Sequence, residues 1–453
     1  MDGPAGRAAA PSARVILAGG ATLVRAVVTG AAGFLGGALA HALRRRGDDV
    51  VAIDIRRAPG VMQADVSRPG EWEKAFYGTE LVIHAAAIGT GGVAELTPVR
   101  PGRAGAPVRV SDAEIRRVTL GATAALLDAA GRAGVDRFVH LSCVDVLART
   151  SGPVPGGTGD RRPARAVGRS LDETTPIGLT GDVRADAMAA AEQAVGSAAA
   201  HGLGATVLRI GDAYGPRAGR WTLWPVLLMR AGRFVLVDGG WGVLSPVHVD
   251  DVVTAVTTVA GADRSAVAGE VLHVTGGESV SAADFFTFYC QMLAIAAPRS
   301  VPARVFGAVD AIDRVCSFAE GYRRRGVDDS AAETPPLPTH PVPAVSTTSV
   351  RPAGSAAPAA PAVPVNSATS RRGPGLIRGV GARLVAGVDP RARVDLGPLT
   401  VRALTRDAGL SIEKIRARTG WSPVVRLPEG MNRTESWLRE RGLLGVREPS
   451  RRG

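Results

Sequence analysis

From Val24 onward, apolar positions fall into two alternating patterns: short β-branched runs, and longer stretches with apolar residues at helical spacing. RAVVTG (25–30) is a strand-like run ending in glycine. FLGGALAHALRRR (34–46) carries apolar residues at helical spacing and ends in basic residues before Gly47, which predicts a helix and its stop. DVVAID (49–54), LVIHAAA (81–87), RFVHLS (137–142) and ATVLRI (205–210) predict further strands. Helical stretches fall at 112–133 and 183–200. Strand alternating with helix predicts an α/β fold: a doubly wound parallel sheet covered on both faces, of Rossmann type.

After Gly211 the rhythm weakens. Segments 221–237 and 271–295 predict smaller mixed elements, and Ser281 with Asp284 three residues on marks a helix start. The expected organisation is a loose tail over 1–22 and a dinucleotide-binding domain over 23–210. Gly/Pro/Arg-rich loops interrupt that domain near 89–110 and 149–169. Elements of a smaller C-terminal α/β substrate domain, with some sheet-completing segments, follow over 211–325. A Pro/Ala-rich insertion spans 326–378, and the rest of the substrate domain 379–445. The insertion is too poor in large apolar residues to offset the entropy of ordering, so it reads as disordered.

The chain of 453 residues is 45% apolar, enough for a sizeable core, but only 4% aromatic. Its net charge of +12 raises the question of a nucleic-acid partner. The arginines are dispersed, lysine occurs only at 74 and 414, and no basic–aromatic alternation forms a stacking groove, which argues against nucleic acid. Cys143, Cys290 and Cys316 are too scattered for a disulfide framework or a metal site, which suits a reducing cytoplasm. No apolar run reaches the roughly 18 residues of a membrane span, and the N-terminal stretch makes a poor signal peptide.

Candidate chemistry concentrates at Thr29-Gly30-Ala31-Ala32-Gly33-Phe34-Leu35-Gly36. Gly30 permits a tight turn, Gly33 lets backbone N–H groups approach a pyrophosphate, and Gly36 lets the helix pack closely on the sheet. The helix N-terminus adds partial positive charge. In a chain with 57 glycines the triplet alone is weak evidence, but its setting between strand and helix is specific. Asp54 ends the next strand, eighteen residues past Gly36, where a carboxylate accepts hydrogen bonds from ribose hydroxyls. That favours NAD. Arg56 and Arg57, just beyond, keep NADP open.

At these residues the chain resembles the extended short-chain dehydrogenase/reductase family, which includes nucleotide-sugar epimerases, dehydratases and 3β-hydroxysteroid dehydrogenase-like enzymes. TGAAGFLG resembles the family's phosphate turn, and Asp65-Val66 the pair that contacts adenine. HAAA (84–87) resembles the strand along the cofactor, and RFVHLSC (137–143) the strand with the catalytic hydroxyl. LDETTP, LRIGDAYGPR, PVHVDDVVTAV, LHVTGGESVS and SIEKIRARTGWSP resemble further family signatures. The resemblance implies cofactor contacts at Gly30, Ala32, Gly33, Phe34, Leu35, Gly36, Asp54, Ile55, Arg56, Asp65, Val66, Ala85, Ala86 and Ala87. Family members often pair through helices flanking the sheet, so a homodimer is an expectation of the same kind.

The family's proton transfer uses a tyrosine and a lysine four residues later, a tuned acid–base pair. Counting back from Glu192, these positions fall on Arg184 and Met188, and none of the four tyrosines has a lysine four residues on. The family's serine or threonine aligns with Cys143 or Ser142, and its asparagine with Val118. Three readings stay open: a cofactor-binding protein that has lost its chemistry, an oxidoreductase or epimerase with substituted acid–base groups acting on a sterol-like or nucleotide-sugar substrate, and a non-catalytic, Arg-rich interaction protein for an acidic partner that keeps the fold only as scaffold. For the second, Ser142, Cys143, Asp145 and Asp182 are the candidates, with His140 and Asp186 nearby. His84 reads as a satisfied core histidine, His248 as a positioning residue, and Asp250 and Asp251 as a helix start. Trp221, Trp224 and Trp241 suit a pocket or a core equally.

Overall fold

Strand β1 (Arg25–Thr29) lies inside a seven-stranded parallel sheet. On one side lie β2 (Asp49–Asp54) and β3 (Met62–Gln63); on the other follow β4 (Leu81–His84), β5 (Arg137–Cys143), β7 (Ala205–Ile210) and β12 (Val271–Val274). Chain order thus runs outward in both directions from β1, which puts the topological switch point between β1 and β4. The computed structural model describes residues 23–87, 111–147, 170–303, 305 and 401–444. The expected tail at 1–22, the loops at 89–110 and 149–169, and the insertion at 326–378 lie outside the described residues.

Helices cover both faces, as the alternating pattern predicts. Helix α1 (Phe34–Arg46) ends at Gly47, whose φ of 101° closes the last turn. It packs with α6 (Val249–Gly261) through Leu39, Leu43, Val252, Val256 and Val259, all nearly inaccessible to solvent. The opposite face is covered by a 3₁₀ turn (Glu71–Phe76), α3 (Ala122–Ala133) and α4 (Val183–Ala200), through Trp72, Phe76, Leu126 and Val195. The stretch predicted as one helix over 112–133 is broken: α2 (Asp112–Arg116) passes into α3 through a π turn, Arg117–Gly121. A single π turn rotates the following side chains relative to an α-helix, a device often found at functional sites.

Strand β12 and helix α6 lie beyond residue 210 yet complete the central sheet and its cover, so the two portions interleave along the chain. Beyond the sheet the strands pair two by two: β6 (Ser170–Leu171) with β15 (Gly409–Leu410), β8 (Asp212–Tyr214) with β11 (Pro246–His248), β9 (Leu236–Val237) with β14 (Ser300–Val301), and β10 (Val243–Leu244) with β13 (Val280–Ser281). A second π turn, Gly219–Leu223, leads into α5 (Trp224–Arg230). Tyr214, Trp221, Phe285, Phe286 and Tyr289 pack edge to face and stacked, so Trp221 belongs to a core. Phe285, Phe286 and Tyr289 come from α7 (Ala282–Leu293), capped by Ser281 as its sequence predicts. Among the described residues no helix is long and apolar enough to cross a membrane.

Candidate functional site

The glycine-rich turn sits at the switch point. Gly30 takes φ 70°, and a Cβ there would lie 2.6 Å from the Ala85 carbonyl oxygen on the neighbouring strand. The Gly33 N–H donates to the Gly30 carbonyl at 2.8 Å, folding the turn over the head of α1. A Cβ at Gly36 would lie 2.3 Å from the same carbonyl oxygen. Both positions therefore need glycine for steric reasons, and the helix N-terminus is left open for an anion. The residues present fit a dinucleotide: a cradle that any Cβ would fill, with a carboxylate at the end of the next strand.

Asp54 is buried, 6% exposed, and its oxygens are occupied. It accepts the Ala32 N–H at 2.9 Å, the Arg56 N–H at 2.8 Å and the Arg56 Nε at 3.1 Å. The carboxylate thus ties the phosphate turn to the end of β2, while Arg56 folds back over it. Ile55 is exposed beside this pair, and Val66 is buried. Asp65 accepts from the Ser67 N–H and hydroxyl and from Arg117 Nη1 at 2.8 Å. Burial pushes the Asp65 carboxyl up, but the Ser67 and Arg117 hydrogen bonds outweigh it and hold it below its ordinary value. Ala85, Ala86 and Ala87 continue β4 past the switch point, with the Ala85 N–H on the Thr29 carbonyl.

Arg217 is a cation at this turn that sequence reasoning did not single out. Its guanidinium lies 3.4 Å from where a Cβ would stand on Gly37, in the first turn of α1. Its own backbone is left-handed, φ 71°. A cation beside a helix N-terminus is electrostatically unfavourable unless an anion joins it.

The proton-transfer half of the site looks different. Arg184 is exposed on the first turn of α4, and its N–H donates to Asp182, which serves as the N-cap. Asp186 accepts from the Thr180 N–H and hydroxyl and from the Gly181 N–H. Met188, like Cys143, packs against an apolar cluster of Val144, Val146, Leu147, Ala189 and Leu410. Ser142 donates its hydroxyl to Glu192 at 2.5 Å, and Glu192 is paired with Arg209 at 2.8 Å, all three buried. Burial, followed by the negative charge of Asp145, pushes the Cys143 thiol up to about 12, so it stays protonated.

Asp145 pairs with Arg220 at 2.5 Å. Burial opposes its ionisation, but Arg220, Arg406 and Arg402 prevail and hold the carboxyl below its ordinary value. A small cleft of about 40 Å³ opens here, lined by Asp145, Leu147, Leu171, Arg402, Thr405, Arg406, Asp407 and Leu410. Arg220 comes from the second π turn, and Arg402 and Arg406 from 401–406, far along the sequence. In a chain carrying 54 Lys and Arg residues, these few had no local signal to separate them from the rest.

The remaining histidines are structural in their contacts. His84 bonds to Thr29 and Thr123 through its two ring nitrogens. His140 is buried 5.2 Å from the His84 ring, with neither nitrogen partnered among the described residues. His248 caps α6 by accepting the Asp250 N–H. Asp251 accepts the N–H groups of Val424 and Val425, which ties the C-terminal segment to α6. Among the described residues no group of acidic, histidine or cysteine side chains forms a metal cage.

Comparison with known proteins agrees with this architecture. A 3-diazoavenalumate denitrifying reductase from a Streptomyces species is 32% identical over 295 residues, covering 62% of this chain and 85% of that protein. A 4-hydroxy-2-methyl-3-oxo-4-farnesyl-3,4-dihydroquinoline-1-oxide ketoreductase from Stigmatella aurantiaca is 30% identical over 286 residues, 60% of this chain and 75% of its own. Among solved structures, the dTDP-glucose 4,6-dehydratase of Streptomyces venezuelae, crystallised with NAD and TYD, shares the fold. It has a TM-score of 0.57 and 17% identity over 93% of this chain and 99% of that one. The UDP-glucose 4-epimerase of Thermotoga maritima gives 0.55 and 18%, over 92% and 99%. Residues 26–275 match the NAD dependent epimerase/dehydratase family, and the chain belongs to that family.

Proposed function

We propose that the protein is a nicotinamide-dependent reductase whose acceptor carbon takes a hydride without help from a tyrosine–lysine pair. The observation that carries this reading is the asymmetry of the site. The glycine cradle, Asp54 and the Ala85–Ala87 strand end are present, while Met188, at the position of the family's lysine, shares an apolar cluster with Cys143. Structural neighbours crystallised with NAD support the choice of cofactor. The family resemblance assigns cofactor contacts to positions between Gly30 and Ala87, and Arg217, beside the first turn of α1, would add a cation for the phosphates. When bound, a reduced nicotinamide supplies the hydrogen and two electrons.

The chain's own acid–base candidates are engaged elsewhere. Ser142 is committed to Glu192, Cys143 stays a thiol, and Asp182 and Asp186 are used by the α4 N-terminus. An acceptor that is already strongly electrophilic needs no acid. Hydride reduction of an aryl diazonium breaks a C–N bond, forms a C–H bond and releases dinitrogen, with no proton taken up. One relative is named a denitrifying reductase of a diazo compound, which supports this chemistry here.

The test offers the purified protein NADH with 4-methoxybenzenediazonium or with 4-methoxyacetophenone, and follows NADH loss and product. Gly36→Ala serves as the background control. Turnover of the diazonium above that control, with the ketone left untouched, is expected. Equal turnover of the ketone would refute a site without a proton donor. Bound NADH with transfer to neither probe would refute the reductase reading in favour of a cofactor-binding protein without redox chemistry.

A further inference from the structure

Asp54 ends β2 at the spacing that favours NAD, yet its carboxylate is already filled. Oδ1 accepts the Arg56 N–H at 2.8 Å and Arg56 Nε at 3.1 Å, and Oδ2 accepts the Ala32 N–H at 2.9 Å and Arg56 Nη2 at 3.4 Å. A carboxylate has about four lone-pair positions, so none is left idle for a ribose hydroxyl. The Asp54 side chain is 4% exposed and that of Arg56 38%, so the end of β2 shows solvent a guanidinium and not a carboxylate. Arg56 Nη2 lies 3.5 Å from where a Cβ would stand on Gly33, which puts the cation beside the phosphate turn. Arg56 Nη1 makes no hydrogen bond among the described residues. Arg57 follows, exposed, while Asp65, the next carboxylate along the chain, is bonded to Arg117.

Resting on the reading of this turn as the dinucleotide site, we propose that Arg56 forms a subsite for a 2′-phosphate and that the protein takes NADPH as well as NADH. A bare carboxylate at the end of β2 repels a 2′-phosphate. Here a guanidinium at 3.1 Å offsets that charge. The same guanidinium keeps an outward edge of donors, and an arginine fork matches phosphate oxygens through charge-assisted hydrogen bonds. Arg57 adds positive potential on the same side of the turn. NADH is not excluded, because the glycine turn and the head of α1 receive the pyrophosphate whether or not the ribose carries a phosphate.

The experiment titrates the full-length protein by calorimetry with NADPH and NADH, and with adenosine 2′,5′-bisphosphate and AMP, a pair that differs only in the 2′-phosphate. NADPH is expected to bind at least as tightly as NADH, and the bisphosphate more tightly than AMP. Arg56→Gln leaves Asp54 its bonds to the Ala32 N–H and to the backbone N–H of residue 56. It is expected to weaken NADPH and the bisphosphate about tenfold, the worth of a charge-assisted hydrogen bond, and to bind NADH as the wild type does, which also shows that the variant is folded. Weaker binding of NADPH than of NADH to the wild type would overturn the proposal. So would a variant that loses NADH and NADPH alike, or neither. Failure of NADPH alone strikes the subsite and leaves the dinucleotide turn standing; binding of neither dinucleotide overturns both readings.

Discussion

Three buried histidines make stability depend on pH in a direction the structure fixes. Thr29, His84 and His140 are register partners across β1, β4 and β5, and His273 stands beside Arg209 across β12 and β7. Burial pushes His140 and His273 down from 6.5 to about 4, and Arg209 adds to the effect on His273. His84 is lowered as well, by burial and then by the charge of His140. A histidine held neutral in the folded state binds its proton more readily when unfolded. Its contribution is therefore complete above the unfolded value of about 6.5 and is lost as pH falls toward about 4. For one group shifted from about 6.5 to about 4, the loss at pH 5 is about 2 kcal/mol, so His140 and His273 together cost about 4 kcal/mol. That is a large share of the roughly 5–15 kcal/mol that holds a domain together. Urea unfolding at constant ionic strength, at pH 8 and pH 5, reads the loss directly. His140→Leu leaves no idle ring nitrogens, so it is expected to match or exceed wild-type stability at pH 8. It should recover about 2 kcal/mol of the fall to pH 5. A variant that loses as much as the wild type between the two pH values would refute the argument.

Gly36→Ala forces a methyl to 2.3 Å from the Gly30 carbonyl oxygen, so NADH affinity should fall more than about tenfold; fluorescence titration decides. Arg217→Gly keeps the left-handed backbone and removes only the guanidinium. It should weaken NADH by about tenfold, with a shallower salt dependence, and leave the unfolding midpoint unchanged. Glu192→Gln leaves Arg209 charged and buried without its counter-ion, a loss of about 3–5 kcal/mol that thermal unfolding will show.

The parts of the fold legible in the sequence are those governed by local periodicity and by steric need. Strand and helix repeats gave the parallel sheet, and Gly30, Gly33 and Gly36 marked the turn, because only glycine fits a left-handed corner and a 2.3 Å approach. Asp54 was legible from spacing, but its ties to Ala32 and Arg56 were not, since a hydrogen bond across a turn leaves no periodic trace. The π turns at Arg117–Gly121 and Gly219–Leu223 were hidden for the same reason: one extra residue in a helical run barely alters its apolar period. Each delivers an arginine, Arg117 to Asp65 and Arg220 to Asp145. Ser142 shows the opposite limit. Its alignment was readable, but not its commitment to Glu192, which depends on a partner fifty residues away.

The pairing of β15 with β6 carries a consequence for how the chain can change over evolutionary time. One wall of the cleft, with Arg402 and Arg406, arrives only after residues 306–400, and is fastened by Ser170–Gly409 and Leu171–Leu410 and by Asp251 on Val424 and Val425. The wall's attachments lie at residues 170–171 and 251, outside the stretch 306–400 that precedes it in the sequence. The cleft wall and the sequence at 306–400 therefore answer to separate constraints and are free to evolve on separate clocks.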